Sequence, residues 1–154
     1  MNTSRLSKSR AQAGFTIVEL IVVIVIIGIL LALIISTRAG VQRSERDTER
    51  QRDIKELRLE LEAYYEQNQR YPTLKDLNDD DWRATHLKGF ESESLRDPLG
   101  DKLTLAAKSA PYVYAYTVTS AKGTACNDQK NPCTQYTLTA TLENGETFVK
   151  DSLN

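Results

Sequence analysis

Between Phe15 and Ile35 lie 21 residues, and Glu19 is the only charged one among them. At about 1.5 Å per residue a helix over this run is roughly 31 Å long, close to the thickness of a bilayer's hydrocarbon core. A helix apolar on every side must meet lipid or other apolar helices, so the segment reads as membrane-spanning. Arg5, Lys8 and Arg10 precede it with no acid among them. That asymmetry keeps the N-terminus in the cytoplasm and sends everything after Ile35 outward. A secretory signal peptide fits poorly, because its cleavage site follows a shorter apolar region. Here the small residues Ala11, Ala13 and Gly14 stand before the apolar run, and "STRAG" after it is a poor site. The order implies processing on the cytoplasmic side, with the hydrophobic helix retained.

The chain has 154 residues, 40% of them apolar and 27% charged, enough for one modest domain plus this appendage. Loss of residues 1–14 would take the formal net charge from −1 to −4. No basic face for nucleic acid emerges from such totals. Cys126 and Cys133 sit close together in a polar stretch. Outside the cytoplasm such a pair is most simply a disulfide, with two free thiols as the alternative.

Helical character is expected to continue to about Gln69, since residues 37–69 hold no proline and one glycine, Gly40. Opposite charges recur at helix-neighbour spacing in Arg46/Glu49, Arg50/Asp53, Arg52/Glu56 and Arg58/Glu62. Ile54, Leu57, Leu61 and Tyr64 form an apolar stripe on which a domain can pack. Pro72 then disfavours helix at Tyr71. Short turns follow, with Leu74, Leu77, Trp82 and Leu87 as anchors and Asp79–Asp81 capping a short helix. The same acids, and those from Asp97 to Asp101, raise a calcium site as a sharper reading, but the usual ligand spacing is absent. Asp97, Pro98 and Gly100 read as a type I turn.

The last third changes period. Tyr112, Tyr114, Tyr116 and Val118 alternate as in a half-buried strand, and so do Tyr136, Leu138, Ala140 and Leu142. Asn144-Gly145 marks a two-residue hairpin, with Glu146–Lys150 returning as a third strand. The expected fold is α+β: a long N-terminal helical spine packed on a small antiparallel β-meander. The segments are a basic leader at 1–14, a membrane half of the spine at 15–36 and an outer half at 37–70. A connecting region at 71–110 and the sheet with its Cys126–Cys133 loop at 111–154 complete the chain.

Chemistry finds little support. His86 is the only histidine, no G-x-S-x-G elbow or phosphate loop occurs, and the cysteines are too far apart for C-x-x-C redox work. The expectation is no enzyme, no metal and no cofactor.

Glu19 is the residue that needs explaining. A charge at the centre of a membrane helix costs about 2.5–3.5 kcal/mol, and less near an interface. Cleavage after Gly14 would place a new α-amino group on Phe15, about one helical turn from Glu19. Amine and carboxylate can pair within a chain or between staggered chains, setting their register. "GFTIVEL", Gly14 to Leu20, with its basic leader and apolar continuation, resembles the signature of type IV pilins and of the pseudopilins of type II secretion. "LEAYYEQNQRYPT" and "DPLG" resemble the region after the spine in pseudopilin-like subunits.

The resemblance implies a type IV pilin-like fold. It also implies cleavage between Gly14 and Phe15 by a membrane-embedded prepilin peptidase, N-methylation of Phe15, and pairing of Glu19 with a neighbour's amine. Partners would be copies of the chain in a helical filament, the membrane before assembly, and an assembly ATPase with its platform protein. No proline interrupts the spine, so Gly28 and Gly40 are the places for it to bend. After Gly100, "DKLTLAA" departs from the aromatic-rich calcium loop of the major pseudopilin. The first expectation is a type IV pilus subunit, made as an inner-membrane precursor and displayed on the cell surface for adhesion, twitching motility or DNA uptake. The alternative is a pseudopilin of a type II secretion piston. A single-pass membrane-anchored ligand-binding protein is the alternative from another class, separated from both by the N-terminus of the mature chain.

Overall fold

The computed structural model describes residues 15–127 and 131–153. Gly14 and the basic leader lie outside the described residues. The chain divides into two units, Met1–Val41 and Gln42–Asn154, and helix α1, Ile17–Asn68, contributes to both. In the first unit none of the side chains from Ile17 to Ile34 is buried. That stretch is long and apolar enough to cross a membrane.

In the second unit α1 presents the expected stripe to a packed core. Ile54, Leu57 and Leu61 are essentially inaccessible, and Tyr64 is buried beside them. Gln69 ends the helix in the left-handed region (φ 56), its N–H donating to the Tyr65 carbonyl. Two short helices follow, α2 at Leu74–Leu77 and α3 at Asp80–His86. Thr73 and Asp76 form a reciprocal capping box on α2, and the Asp79 carboxylate accepts from the Trp82 N–H at the start of α3. A 3₁₀ turn at Ser92–Leu95 precedes the Asp97–Gly100 turn, which the Gly100 N–H closes on the Asp97 carbonyl at 2.7 Å.

The sheet is an antiparallel meander in the order β1 (Ala115–Thr119), β2 (Gln135–Thr141), β3 (Thr147–Asp151). Tyr116, Tyr136, Leu138 and Ala140 fill its inner face, while Thr117, Thr137 and Thr139 lie on the other. Tyr71 knits the layers together, stacked on Tyr65 at 4.5 Å and edge-on to Tyr136 at 4.6 Å.

Three expectations change. The first strand starts at Ala115, because Tyr112 is in the left-handed region (φ 63) and exposed. The hairpin is not a two-residue turn: Asn144 has negative φ and only Gly145 (φ 84) is left-handed. The Gly145 N–H donates to Leu142 O and the Leu142 N–H to Glu146 O, a three-residue loop built on a type I turn. The ion pairs along α1 are also largely re-partnered. Only Arg52–Glu56 survives as expected, at 3.9 Å; Arg46, Arg50 and Glu62 have groups outside the helix as partners, and Asp53 holds a tyrosine hydroxyl.

Candidate assembly and processing site

Phe15 and Thr16 precede α1, and Phe15 is 83% exposed. The Thr16 hydroxyl accepts from the Glu19 N–H at 3.2 Å, and the Thr16 carbonyl from the Leu20 N–H at 3.2 Å. Thr16 is thus positioned as the helix cap, with Glu19 three residues on, in its first turn. "TIVE" has the T-x-x-E spacing of a capping box, a signal the sequence reading passed over. The N-terminus of a helix favours negative charge by about 0.3–1 kcal/mol, which offsets part of the cost of holding a carboxylate in an apolar segment. Glu19 and Phe15 therefore sit at one end of the apolar helix, both exposed.

Cys126 and Cys133 are joined as a disulfide, and Cys133 is buried against the core while Cys126 packs at its margin. The bridge anchors the connection between β1 and β2. The Cys133 carbonyl in turn accepts from the Tyr71 N–H at 2.7 Å, tying this connection to the residue that follows α1.

The second unit is fastened to α1 by a buried charge cluster. Arg50 is 1% exposed. Its Nε donates to Asp97 Oδ2 at 2.7 Å and its Nη2 to Asp97 Oδ1 at 3.1 Å, a two-pronged pair. Its Nη1 reaches Asp47 at 2.8 Å and Glu143 at 3.2 Å, and Arg46 Nε also donates to Glu143, at 2.7 Å. One arginine thereby holds the Asp97 turn and the β2–β3 hairpin against the helix. The hydrogen bond donated by Arg46 draws the Glu143 carboxyl down to about 2, and the one Arg50 donates to Asp97 raises the Arg50 pKa. Asp53 behaves oppositely: burial pushes its carboxyl up to about 6, although the Tyr114 hydroxyl donating to it at 2.8 Å opposes the rise. Burial also raises Tyr114. Sequence spacing assigned Arg50 to Asp53. Only the convergence of two distant turns on Arg50 determines its real partners.

The remaining candidates are engaged locally. Asp79 caps α3 and Asp80 pairs with Arg83. Asp97 is committed to Arg50 and to the Leu99 N–H. Among the described residues no group of three or more His, Cys, Asp or Glu side chains is arranged to hold a metal ion. His86 stacks on Trp82 at 4.5 Å, its Nδ1 2.9 Å from the Trp82 carbonyl.

Residues 9–35 match the family described as the prokaryotic N-terminal methylation motif. The matched segment carries Phe15 and Glu19 into the exposed apolar helix, ahead of a helix-on-meander domain. The match supports the resemblance of this N-terminal segment to type IV pilins and pseudopilins. Similar curated proteins include type II secretion system core protein G of Aeromonas hydrophila, 39% identical over 66 residues, which are 43% of this chain and 46% of that protein. Another is type II secretion system core protein G of Dickeya chrysanthemi, 39% identical over 64 residues, 42% of each chain. This chain spans less than half the length of those relatives. No solved structure matches.

Proposed function

We propose that this chain is a pseudopilin, a structural subunit of a filament of a type II secretion system. The observation that carries this reading is the Phe15–Glu19 start of an apolar helix with nothing buried along it, in a chain similar to two type II core G proteins. The precursor sits in the cytoplasmic membrane through the first half of α1. A prepilin peptidase cuts between Gly14 and Phe15 and the new amine of Phe15 is methylated. Glu19 of one copy then pairs with the Phe15 amine of another, each cancelling the other's cost of burial. An ATPase and a platform protein drive assembly, and the filament stays in the periplasm. The chain acts by packing, without catalysis of its own. This replaces the expectation of a pilus displayed on the cell surface.

Intact mass with N-terminal sequencing of sheared surface material and of washed membranes tests the reading. A chain starting at methylated Phe15 and confined to the membrane fraction is the expected result. The same chain abundant in sheared fibres would return the surface pilus. A chain beginning at Met1 would remove the processing scheme altogether.

A further inference from the structure

Two flanks of α1 in the Gln42–Asn154 unit carry unmatched charge of opposite sign. On one flank, a cavity of about 400 Å³ between the helix and the 3₁₀ turn is lined by Glu45, Glu49, Asp53, Glu91 and Glu93, with Arg52 as its only cation. Of these acids, Asp53 holds Tyr114 and Glu93 pairs with Arg96, while Glu45, Glu49 and Glu91 are exposed and, among the described residues, have no cation in ion-pair contact. On the other flank, Lys55 of α1 and Lys150 of β3 both lie over the ring of Phe148, at 5.7 and 5.1 Å. Among the described residues neither lysine has a carboxylate in ion-pair contact. Two ammonium groups sharing one ring repel each other, an arrangement that favours an anionic partner.

Glu49 and Lys55 are six residues apart and so lie about 120° from each other around the helix. The ridge between them is where α1 has no cover. Leu59 there is 71% exposed, above a hollow of about 420 Å³ that Thr48, Gln51, Lys55 and the Arg52–Glu56 ion pair also line. One unit thus offers a basic flank, an uncovered ridge topped by Leu59 whose own charges, Arg52 and Glu56, are paired with each other, and an acidic flank. A surface complementary to itself at two different places joins copies head to tail, and such contacts extend as open helical arrays.

We propose that the outward face of α1 around Leu59 docks a second copy of this chain, with Lys55 and Lys150 of one copy entering the groove of Glu45, Glu49 and Glu91 on the next. This rests on the filament reading above and assigns the filament a contact outside the membrane helix. Burial of Leu59 contributes apolar area, and the charges set direction and register.

The test mixes isotope-labelled and unlabelled full-length chains, co-assembled in membranes and treated with a carbodiimide that condenses a lysine amine with a touching carboxylate. Mass spectrometry then finds links joining one labelled and one unlabelled peptide. Links from Lys55 or Lys150 to Glu45, Glu49 or Glu91 are expected. Lys55→Glu/Lys150→Glu alone lacks the amines, and Glu49→Lys/Glu91→Lys alone keeps only Glu45 as an acid. Each by itself should therefore lose these links, and the decisive reading is the mixture of the two. Co-assembly of these two variants with one another should restore a contact between reversed charges. It is read as new links that join position 49 or 91 of one variant to position 55 or 150 of the other. None of the four positions is buried, so melting temperatures of the variants should match the parent. Copies that assemble but are linked elsewhere, with yields untouched by the reversals, overturn this inference and leave the filament reading standing. A parent chain that yields no mixed links of any kind removes both.

Discussion

Along α1 the same backbone serves two regions that treat apolar side chains in opposite ways. From Ile17 to Ile34 every large aliphatic is left outside, while from Ile54 to Tyr64 the stripe residues are buried to 7% exposure or less. The first region is apolar all round, so no single packed face can satisfy it. The second confines apolar residues to one stripe and turns charge to the rest, and a small sheet closes on it. The first is stable only in lipid or among other copies. The second carries its own core.

The sharpest break of this contrast is Glu19→Ala. It should abolish filaments while leaving processing, membrane insertion and the melting temperature of the second unit unchanged; filaments at parental abundance in that variant would falsify the pairing scheme. Asp97→Ala works on the other region alone. It leaves Arg50 Nε and Nη2 without their acceptor, with only Asp47 and Glu143 still on Nη1, and should cost about 3 kcal/mol, seen as a large drop in melting temperature with membrane insertion intact. Replacing both Cys126 and Cys133 by Ser should cost about 2 kcal/mol, because the bridge closes a loop with a sequence separation of 7. Reduction of the parent with dithiothreitol should reproduce that loss, and an unchanged melting temperature would show that the loop is held without the bridge.

The smallest effect concerns pH. The Asp53 carboxyl is raised in the fold from 3.8 to about 6, so the native state holds the proton more tightly than the unfolded chain. Its contribution is therefore full below about pH 4 and is lost as pH rises through 6. Glu143, lowered from 4.5 to about 2, contributes above 4.5 and loses that contribution as pH falls toward 2. Asp53→Asn keeps an acceptor for the Tyr114 hydroxyl and removes the charge. It should stabilise the unit at neutral pH by about 1 kcal/mol, raise melting by a few degrees and flatten the profile between pH 4 and 6. A variant as pH-sensitive as the parent would assign that slope to another group.

Much of this molecule is legible in local pattern. The apolar run, the Ile54–Tyr64 stripe, the alternation from Tyr136 to Leu142 and the caps at Thr73 and Asp79 each depend on residues within a few positions of one another. Their period or spacing therefore states the outcome. Gly145 at its turn belongs with them. Tyr112 departed from its period because the left-handed backbone there belongs to a loop lying against the Asp97–Gly100 turn, where a Cβ on Gly100 would come within 2.5 Å of the Tyr112 carbonyl. Partner choice also escaped the pattern. Spacing offered Arg50 a neighbour three residues along, but a buried guanidinium takes the carboxylates with which the fold surrounds it. Asp97 and Glu143 stand 47 and 93 residues away in sequence. Helix period and the hydrophobic stripe determined from sequence alone that there would be a spine and a packed domain. Which charges lock that domain to its helix was decided by the tertiary structure, because burial rewards the pairing that completes every hydrogen bond rather than the nearest one along the chain.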